Sequence, residues 1–189
     1  MTNKTKKLVF GALPLFAHHK NLRYVNQYQW RKIRAGIIEE RGCQCEICGA
    51  IPKDETDQRN FHAHEEWAFD LTNHILDLQR IGMICHRCHQ VDHMGLLEVK
   101  LKKGQIDKAQ YDQVFEHYAN VNGCTFQQAK TDYYKFSFQW LMEQSQLDPE
   151  LRKAEWKYRL SCDFPNKNKM EEALLKKGLL AEDEEDPLL

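Results

Sequence analysis

The sequence predicts an α+β fold, in which a small sheet is flanked by mainly α-helical N- and C-terminal segments. Two Cys-x-x-Cys pairs enclose residues that alternate as in a strand, and amphipathic helical periodicity precedes and follows them. Hydrophobic residues make up 42% and charged residues 29% of the 189-residue chain, as in ordinary globular proteins. We divide the chain into a basic N-terminal arm (1–19), a cysteine-containing domain (20–103), a helical extension packed on the core (104–165), and a C-terminal helix with an acidic tail (166–189).

The hydropathy of the chain limits the classes of protein to which it can belong. No run approaches the ~18 consecutive apolar residues of a transmembrane helix. Leu8 to Phe16 is a short apolar run that Pro14 interrupts, and it has no small-residue cleavage site, so a signal peptide is not predicted. We therefore expect a cytoplasmic protein without a membrane partner.

Charge is distributed unevenly, although the formal net charge is only −1. Residues 1–41 contain nine Lys or Arg and two Glu, whereas residues 171–189 contain seven Asp or Glu and two Lys. A basic N-terminal region suits a polyanionic partner. We hypothesise that the acidic stretch from Glu182 to Asp186 lies near this basic surface and competes with that partner for it. The other interpretation is a solvated arm and a solubilising tail.

The first long helix is predicted at residues 27–40. Trp30, Ile33 and Ile37 recur at helical spacing, and Gly42 follows the last turn. We expect these apolar side chains in the core and the basic residues of the same segment largely on its polar side.

Four of the seven cysteines form two pairs, Cys45 with Cys48 and Cys85 with Cys88, and 36 residues separate the pairs. Each short pair can chelate one ion from a tight turn, and four thiolates are the number that a tetrahedral structural zinc site requires. The spacing therefore predicts structural Zn²⁺ at these cysteines, with Cys43 as an alternative ligand. The competing interpretations are ordinary buried cysteines or a redox Cys-x-x-Cys pair.

Four of the histidines that lie between or just after the cysteine pairs have spacings that suit metal binding. If residues 61–64 are extended, His62 and His64 point to the same face of the strand. The segment that contains the second cysteine pair has no Pro or Gly and can form a helix, on which His89 and His93 are neighbours at i and i+4. Such a helical pair can hold one metal ion. The sequence therefore predicts a second metal site.

The remaining elements follow from periodicity and turn residues. They are a loop at 51–60, the second strand of a hairpin within the ambiguous stretch 71–84, helices at 106–121 and from Thr125 to Gln144, a strand or helical extension ending at Leu160, and a last helix at 170–180. The aromatic residues of the helix that begins at Thr125 could stack on unpaired bases, but we expect them to pack in the core.

These motifs resemble those of the zinc-containing branch of the HNH nucleases. The matching skeleton is Cys45-x-x-Cys48, then His64 at the end of a strand, then Ile84-Cys85-His86-Arg87-Cys88-His89. More narrowly, the chain is similar to small prokaryotic and phage members that have His-Glu-x-Trp, here residues 64–67, where most relatives have Asp-His-Ile. Softer matches extend the resemblance to residues 20–160.

The resemblance implies a treble-clef-like ββα-metal core and a metal-dependent endonuclease that hydrolyses phosphodiester bonds in nucleic acid, with DNA preferred by family likeness alone. His64 aligns with the general base that activates water, and His89 aligns with the last histidine of the motif. Together with His93, His89 would hold one catalytic divalent cation (Mg²⁺, Mn²⁺, Ni²⁺ or Zn²⁺) that neutralises the phosphate and stabilises the leaving 3′-oxygen. The side chains expected to contact the nucleic acid are basic, namely Arg23, Arg31, Arg34 and Arg87.

The sequence departs from the family pattern at two positions. Arg80 stands where the family has an Asn that orients the base or the metal site, and it could contact phosphate instead. Ala63 stands where many relatives have a metal ligand before the base, and His62 or Glu65 could fill that coordination position. The candidates to orient His64 in place of the Asn are three nearby polar residues, Asn73, His74 and Gln79.

These departures leave a second function open. One alternative is a catalytically weakened zinc-binding module, which would bind nucleic acid or a protein partner without cleaving the nucleic acid. A further alternative is a subunit of a defence or phage assembly. Because no basic recognition helix is apparent, we expect weak sequence preference or targeting directed by a protein partner. By resemblance, the expected setting is the cytoplasm of a bacterial or phage-infected cell.

Overall fold

The computed structural model describes residues 7–182, and within them it confirms the predicted α+β class. The described residues form eight α-helices and a sheet in which three strands have the order β1-β2-β3. The helices are α1 (Leu22–Val25), α2 (Gln27–Arg41), α3 (Glu55–Gln58), α4 (His86–Asp92), α5 (Met94–Lys102), α6 (Lys108–Asn122), α7 (Phe126–Gln146) and α8 (Lys167–Lys176), and the strands are β1 (Phe61–Asp70), β2 (Ile75–Cys85) and β3 (Lys157–Leu160).

The described residues divide into two compact units that are interleaved along the sequence. The first unit contains residues 7–15, 42–64 and 83–147, and the second contains residues 16–41, 65–82 and 148–182. Neither unit coincides with one of the four segments predicted from the sequence, because each unit draws on three separate stretches of chain. Strands β1 and β2 contribute residues to both units.

Helices α4 to α7 form the helical part of the first unit. Helix α6 packs against α4, α5 and α7, and the buried side chains there include Val91, Met94 and Phe115. Helix α7 begins as predicted, since the Thr125 hydroxyl accepts a hydrogen bond from the backbone N–H of Gln128 at 3.1 Å. This packing holds α4, and with it the cysteine and histidine residues of α4, against the other helices.

Part of the predicted basic arm belongs to the core of the first unit. Leu8 and Phe10 are buried, and the Phe10 ring stacks on Tyr118 of α6 with 4.3 Å between ring centroids. The Asn122 side-chain amide donates a hydrogen bond to the Leu8 carbonyl at 2.9 Å. Apolar side chains at alternate positions therefore fix this segment to α6 from Leu8 onward.

The second unit combines α1, α2 and α8 with strand β3. Ile33 and Ile37 of α2 are fully buried, as the periodicity predicted. Strand β3 pairs in parallel with β2, so that Ile75 lies opposite Lys157. The sequence left open whether the residues before Leu160 extend a helix or form a strand, and the structure shows a strand.

The expectation that the aromatic residues of α7 pack in the core is wrong for two of them. Tyr133 is buried, but Tyr134 is 68% exposed and Phe138 is 67% exposed. A helix that packs on one side presents only one stripe of side chains to its neighbours. Residues on the opposite side of α7 are therefore left at the surface.

Two expectations concern the ends of the chain and its relation to membranes. The hypothesised acidic stretch from Glu182 onward lies, except for Glu182 itself, outside the described residues 7–182. Within that described part, none of the helices combines the length and the apolar character needed to cross a membrane.

Candidate metal centres

The first candidate centre is a group of four cysteines, Cys45, Cys48, Cys85 and Cys88, whose sulfur atoms all lie within 4.8 Å of one another. The sulfurs of Cys48 and Cys85 are 3.6 Å apart. Ligands at ~2.3 Å around a tetrahedral zinc ion would be separated by about 3.8 Å. The four cysteines are therefore close enough together to hold a structural metal ion.

A tight turn and two hydrogen bonds place the first cysteine pair. The backbone N–H of Cys45 donates to the carbonyl of Ala50, and that of Gly49 donates to the carbonyl of Cys45, both at 2.8 Å. Gly49 has a φ of 75°, which a glycine adopts without steric cost. Glu46 donates its backbone N–H to the carbonyl of Met83, and its carboxylate accepts the Met83 N–H at 2.9 Å. These contacts fix the turn to the end of β2, beside the second cysteine pair.

The second pair is built into the beginning of α4. The Cys85 sulfur caps this helix by accepting the backbone N–H of Cys88 at 3.5 Å. The Cys88 sulfur lies 3.1 Å from Nε2 of His117, which α6 contributes. Hydrogen bonds from Cys85 and then Cys88 hold the pKa of Cys45 well below the usual range of a thiol, and the same hydrogen bonds raise the pKa of Cys85 and of Cys88.

The second candidate centre consists of three histidines. His64 on β1, His89 on α4 and His93, the C-cap of α4, each offer a ring nitrogen, and these nitrogens lie within 4.8 Å of one another. The ring centroids of His89 and His93 are 4.4 Å apart, and that of His64 is 5.8 Å from His89. The structure thus brings together imidazoles from a strand and from a helix.

The surroundings of His89 keep its imidazole neutral. Burial, followed by the nearby imidazoles of His93, His62 and His64, lowers the pKa of His89 to about 2. A neutral imidazole has a free lone pair on one ring nitrogen, which a protonated ring lacks. His89 is therefore held in the protonation state that a metal ion requires.

His62 lies beside the three-histidine group without belonging to it. Its ring stacks on that of His89 with 4.2 Å between centroids, and its Nε2 is 3.3 Å from Nδ1 of His86. Sequence reasoning missed His86, although its position inside the second Cys-x-x-Cys pair at the first turn of a helix could have indicated it. Burial and the charge of Lys100 lower the pKa of His86.

Glu65, the other residue predicted to complete the coordination, has both carboxylate oxygens engaged within the second unit. Oε1 accepts the backbone N–H of Leu22 at 2.9 Å, and Oε2 accepts the indole N–H of Trp67 at 3.2 Å. Burial raises the pKa of Glu65 to about 7. Among residues 7–182, neither group of candidate metal ligands includes Glu65.

The arginines predicted to act on nucleic acid have different settings. The Arg80 guanidinium donates to Glu66 Oε1 at 2.7 Å, so phosphate binding would compete with this ion pair. The side chains expected to contact the backbone are divided between the two units, with Arg23 on α1 and Arg31 and Arg34 on α2 in the second unit, and Arg87 on α4 in the first. Of these four arginines, Arg34 alone is half-buried.

Asp92 lies close to His64, and the sequence did not predict this contact. Asp92 Oδ2 lies 3.3 Å from Nε2 of His64 and 3.7 Å from Nε2 of His93. By contrast, Asn73, predicted as an orienting residue, donates its side-chain amide and backbone N–H to Asp70 in the turn after β1. The signal for Asp92 was its place between His89 and His93 within one helical turn.

Comparisons of the chain with protein-family models, with curated proteins and with solved structures find no match. The resemblance to the HNH nucleases therefore depends on the cysteine and histidine motifs quoted from the sequence.

Proposed function

We propose that the protein is a metal-dependent endonuclease of the HNH type that hydrolyses phosphodiester bonds in DNA. The observation that carries the proposal is the convergence of His64, His89 and His93 within the unit that also contains the four-cysteine group. Two of these imidazoles, those of His89 and His93, suit a divalent cation, and the third, that of His64, lies beside them as the candidate base. Together with the motif order, this arrangement is what the family resemblance leads us to expect.

We infer that the four cysteines bind Zn²⁺ and that the zinc stabilises the fold without taking part in chemistry. Four cysteine sulfurs close together suit a tetrahedral structural zinc site, and the 3.6 Å separation between the sulfurs of Cys48 and Cys85 is compatible with it. The element order β1, β2, α4 matches that of a ββα-metal core, in which the helix after the hairpin carries cysteine and histidine ligands. A treble-clef-like arrangement is accordingly part of the proposal.

Each histidine has a role in the proposed reaction. His89 and His93 would hold one divalent cation, which supplies charge neutralisation at the phosphate and at the leaving 3′-oxygen. His64 takes a proton from water as the water oxygen attacks phosphorus. Arg87 is exposed on the same helix as His89, and it would contact the phosphate backbone away from the scissile bond. The proposed site is thus built from helix α4 and from strand β1, in which His64 lies inside the strand and not at its end as the motif predicted.

One observation favours a second function. Arg80 occupies the position of the family Asn and is paired with Glu66 at 2.7 Å, so it supplies no amide to orient a base or a metal site. If no other residue replaces that Asn, the chain would be a catalytically weakened module that binds DNA or a protein partner. Cleavage activity is therefore the property that separates the two functions.

The test is plasmid cleavage by the purified protein with Mg²⁺, Mn²⁺ or Ni²⁺. We expect His64→Ala and His89→Ala each to lower the nicking rate about 10²-fold or more, because each removes a group that acts on the reacting atoms. His18→Ala is the matched control, since His18 is exposed and belongs to neither group of candidate ligands. Cleavage that survives both substitutions would exclude the proposed site, and no cleavage with any metal would favour the binding module.

A further inference from the structure

We propose that Asp92 is the positioning residue for His64, and that Gly11 leaves the space in which the Asp92 carboxylate lies. This inference rests on the proposed function, because it names the residue that supplies the orientation for which the family uses an Asn. It concerns only residues of the first unit, and it is carried by three observations that are independent of one another.

The first observation is the contact between the carboxylate and the imidazoles. Asp92 Oδ2 is 3.3 Å from Nε2 of His64 and 3.7 Å from Nε2 of His93. If Nε2 of His64 carries the proton, that proton lies next to this oxygen, and Nδ1 is then the nitrogen with a free lone pair. A carboxylate behind a functional histidine commonly fixes both the tautomer and the orientation of the ring.

The second observation is the close approach of Gly11 to the other carboxylate oxygen. A Cβ atom at Gly11 would lie 2.0 Å from Asp92 Oδ1 and 2.9 Å from its Cγ. Real Cβ atoms do not make contacts of this length, so any larger residue at Gly11 would displace the carboxylate. The backbone of Gly11 therefore forms one wall of the space that Asp92 occupies.

The third observation is that the chain around Gly11 is held in place. Phe10 stacks on Tyr118, and the backbone N–H of Leu15 donates to the side chain of Gln144 at 2.9 Å. The segment is thus attached to α6 before Gly11 and to α7 after it. Because it is attached on both sides, Gly11 cannot easily move away from Asp92. With a larger residue at position 11, the Asp92 carboxylate would therefore have to move.

The experiment compares four variants of the full-length, zinc-loaded protein. Asp92→Ala removes the acceptor, Asp92→Asn keeps an oxygen acceptor without the charge, and Gly11→Ala displaces the carboxylate without altering it. Gly95→Ala is the control, because a Cβ at Gly95 would meet no atom within 4 Å. Thermal unfolding of each variant shows whether it is folded before its function is measured.

The direct readout is the imidazole N–H of His64, observed by proton–nitrogen NMR. We expect a slowly exchanging N–H at Nε2 in the unaltered protein and in Gly95→Ala, a weakened signal in Asp92→Asn, and loss of the signal in Asp92→Ala and Gly11→Ala. A signal that persists in Asp92→Ala, or one absent from the unaltered protein, would overturn the proposal.

The second readout is plasmid nicking. We expect Asp92→Ala to lower kcat by about 10-fold to 100-fold with KM little changed, and Asp92→Asn to restore part of the loss. An unchanged kcat in Asp92→Ala would overturn the positioning role. If the unaltered protein cuts no DNA, the proposed function fails, whereas the NMR comparison still decides whether Asp92 orients His64.

Discussion

Cys85 has two structural roles at the level of a single residue. Its sulfur belongs to the four-cysteine group, and the same sulfur accepts the backbone N–H of Cys88 at the beginning of α4. A serine could take over the second role, since serine is a preferred helix N-cap. It could not take over the first, because a neutral hydroxyl is a poor ligand for Zn²⁺ compared with a thiolate. A substitution can therefore separate the two roles.

We predict that Cys85→Ser abolishes binding of the structural metal while leaving the cap of α4 available. The expected result is a fall by one zinc per chain in elemental analysis, with a lower melting temperature, because three thiolates hold the ion more weakly than four. Cys124→Ser is the control, since Cys124 lies outside the four-cysteine group. An unchanged zinc content in Cys85→Ser would show that this group is not the metal site.

The residues of the two candidate centres differ in how far the sequence could predict them. Spacing alone predicted the four cysteines. The repeat of two along a strand paired His62 with His64, and the repeat of four along a helix paired His89 with His93. That the two pairs meet was expected from the cysteine pairs that flank them, and the group of candidate ligands contains His64, His89 and His93 but not His62. Asp92 was missed, although it lies between His89 and His93, because an acidic residue on a short helix is ordinarily solvated. Its close approach to Gly11 could not be predicted, since no local pattern encodes a contact between such distant residues.

At the scale of elements, the N-terminal segment from Leu8 to Leu15 packs across the helices of the first unit. It has no regular secondary structure before Leu15, yet Leu8 is 1% exposed and Phe10 is 7% exposed. The Phe10 ring lies near Phe115, Tyr118 and Tyr133 from two different helices. Such an aromatic cluster stabilises the packing of α6 on α7.

We predict that Phe10→Ala lowers the free energy of unfolding by about 3–5 kcal/mol, because it leaves a cavity among packed aromatic rings. Val9→Ala is the matched control, since Val9 is 61% exposed, and we expect it to change the stability by less than about 0.5 kcal/mol. Urea unfolding at constant pH measures both. Equal effects of the two substitutions would contradict the inward packing of Phe10.

Elements with a clear apolar stripe were predictable, and elements defined by distant partners were not. Helix α2 follows the spacing of Ile33 and Ile37, and α6 follows the spacing of its own apolar residues and ends just before Gly123. The packing of the N-terminal segment escaped prediction because Leu8 and Phe10 lie in a run too short and too basic at its start to indicate burial. The exposure of Phe138 was not predicted, because aromatic residues occur on more than one side of α7.

At the scale of the whole molecule, each compact unit is assembled from three separate stretches of chain. Both candidate metal centres lie in the first unit, as do Asp92 and Gly11, whereas Arg80, Glu65 and three of the four predicted DNA-contacting arginines belong to the second. Composition and charge along the sequence could not predict this division, because strands β1 and β2 each cross from one unit to the other. The residues of the proposed reaction therefore lie mainly in the first unit.

The most direct test of the central claim is a crystal structure of the protein grown with Mn²⁺, with anomalous scattering measured at the zinc and manganese edges. We predict one zinc peak bonded to the sulfurs of Cys45, Cys48, Cys85 and Cys88, and one manganese peak bonded to His89 and His93, with His64 beside it. Zinc bound to the four sulfurs and no cation at the histidines would contradict the proposed metal-dependent nuclease.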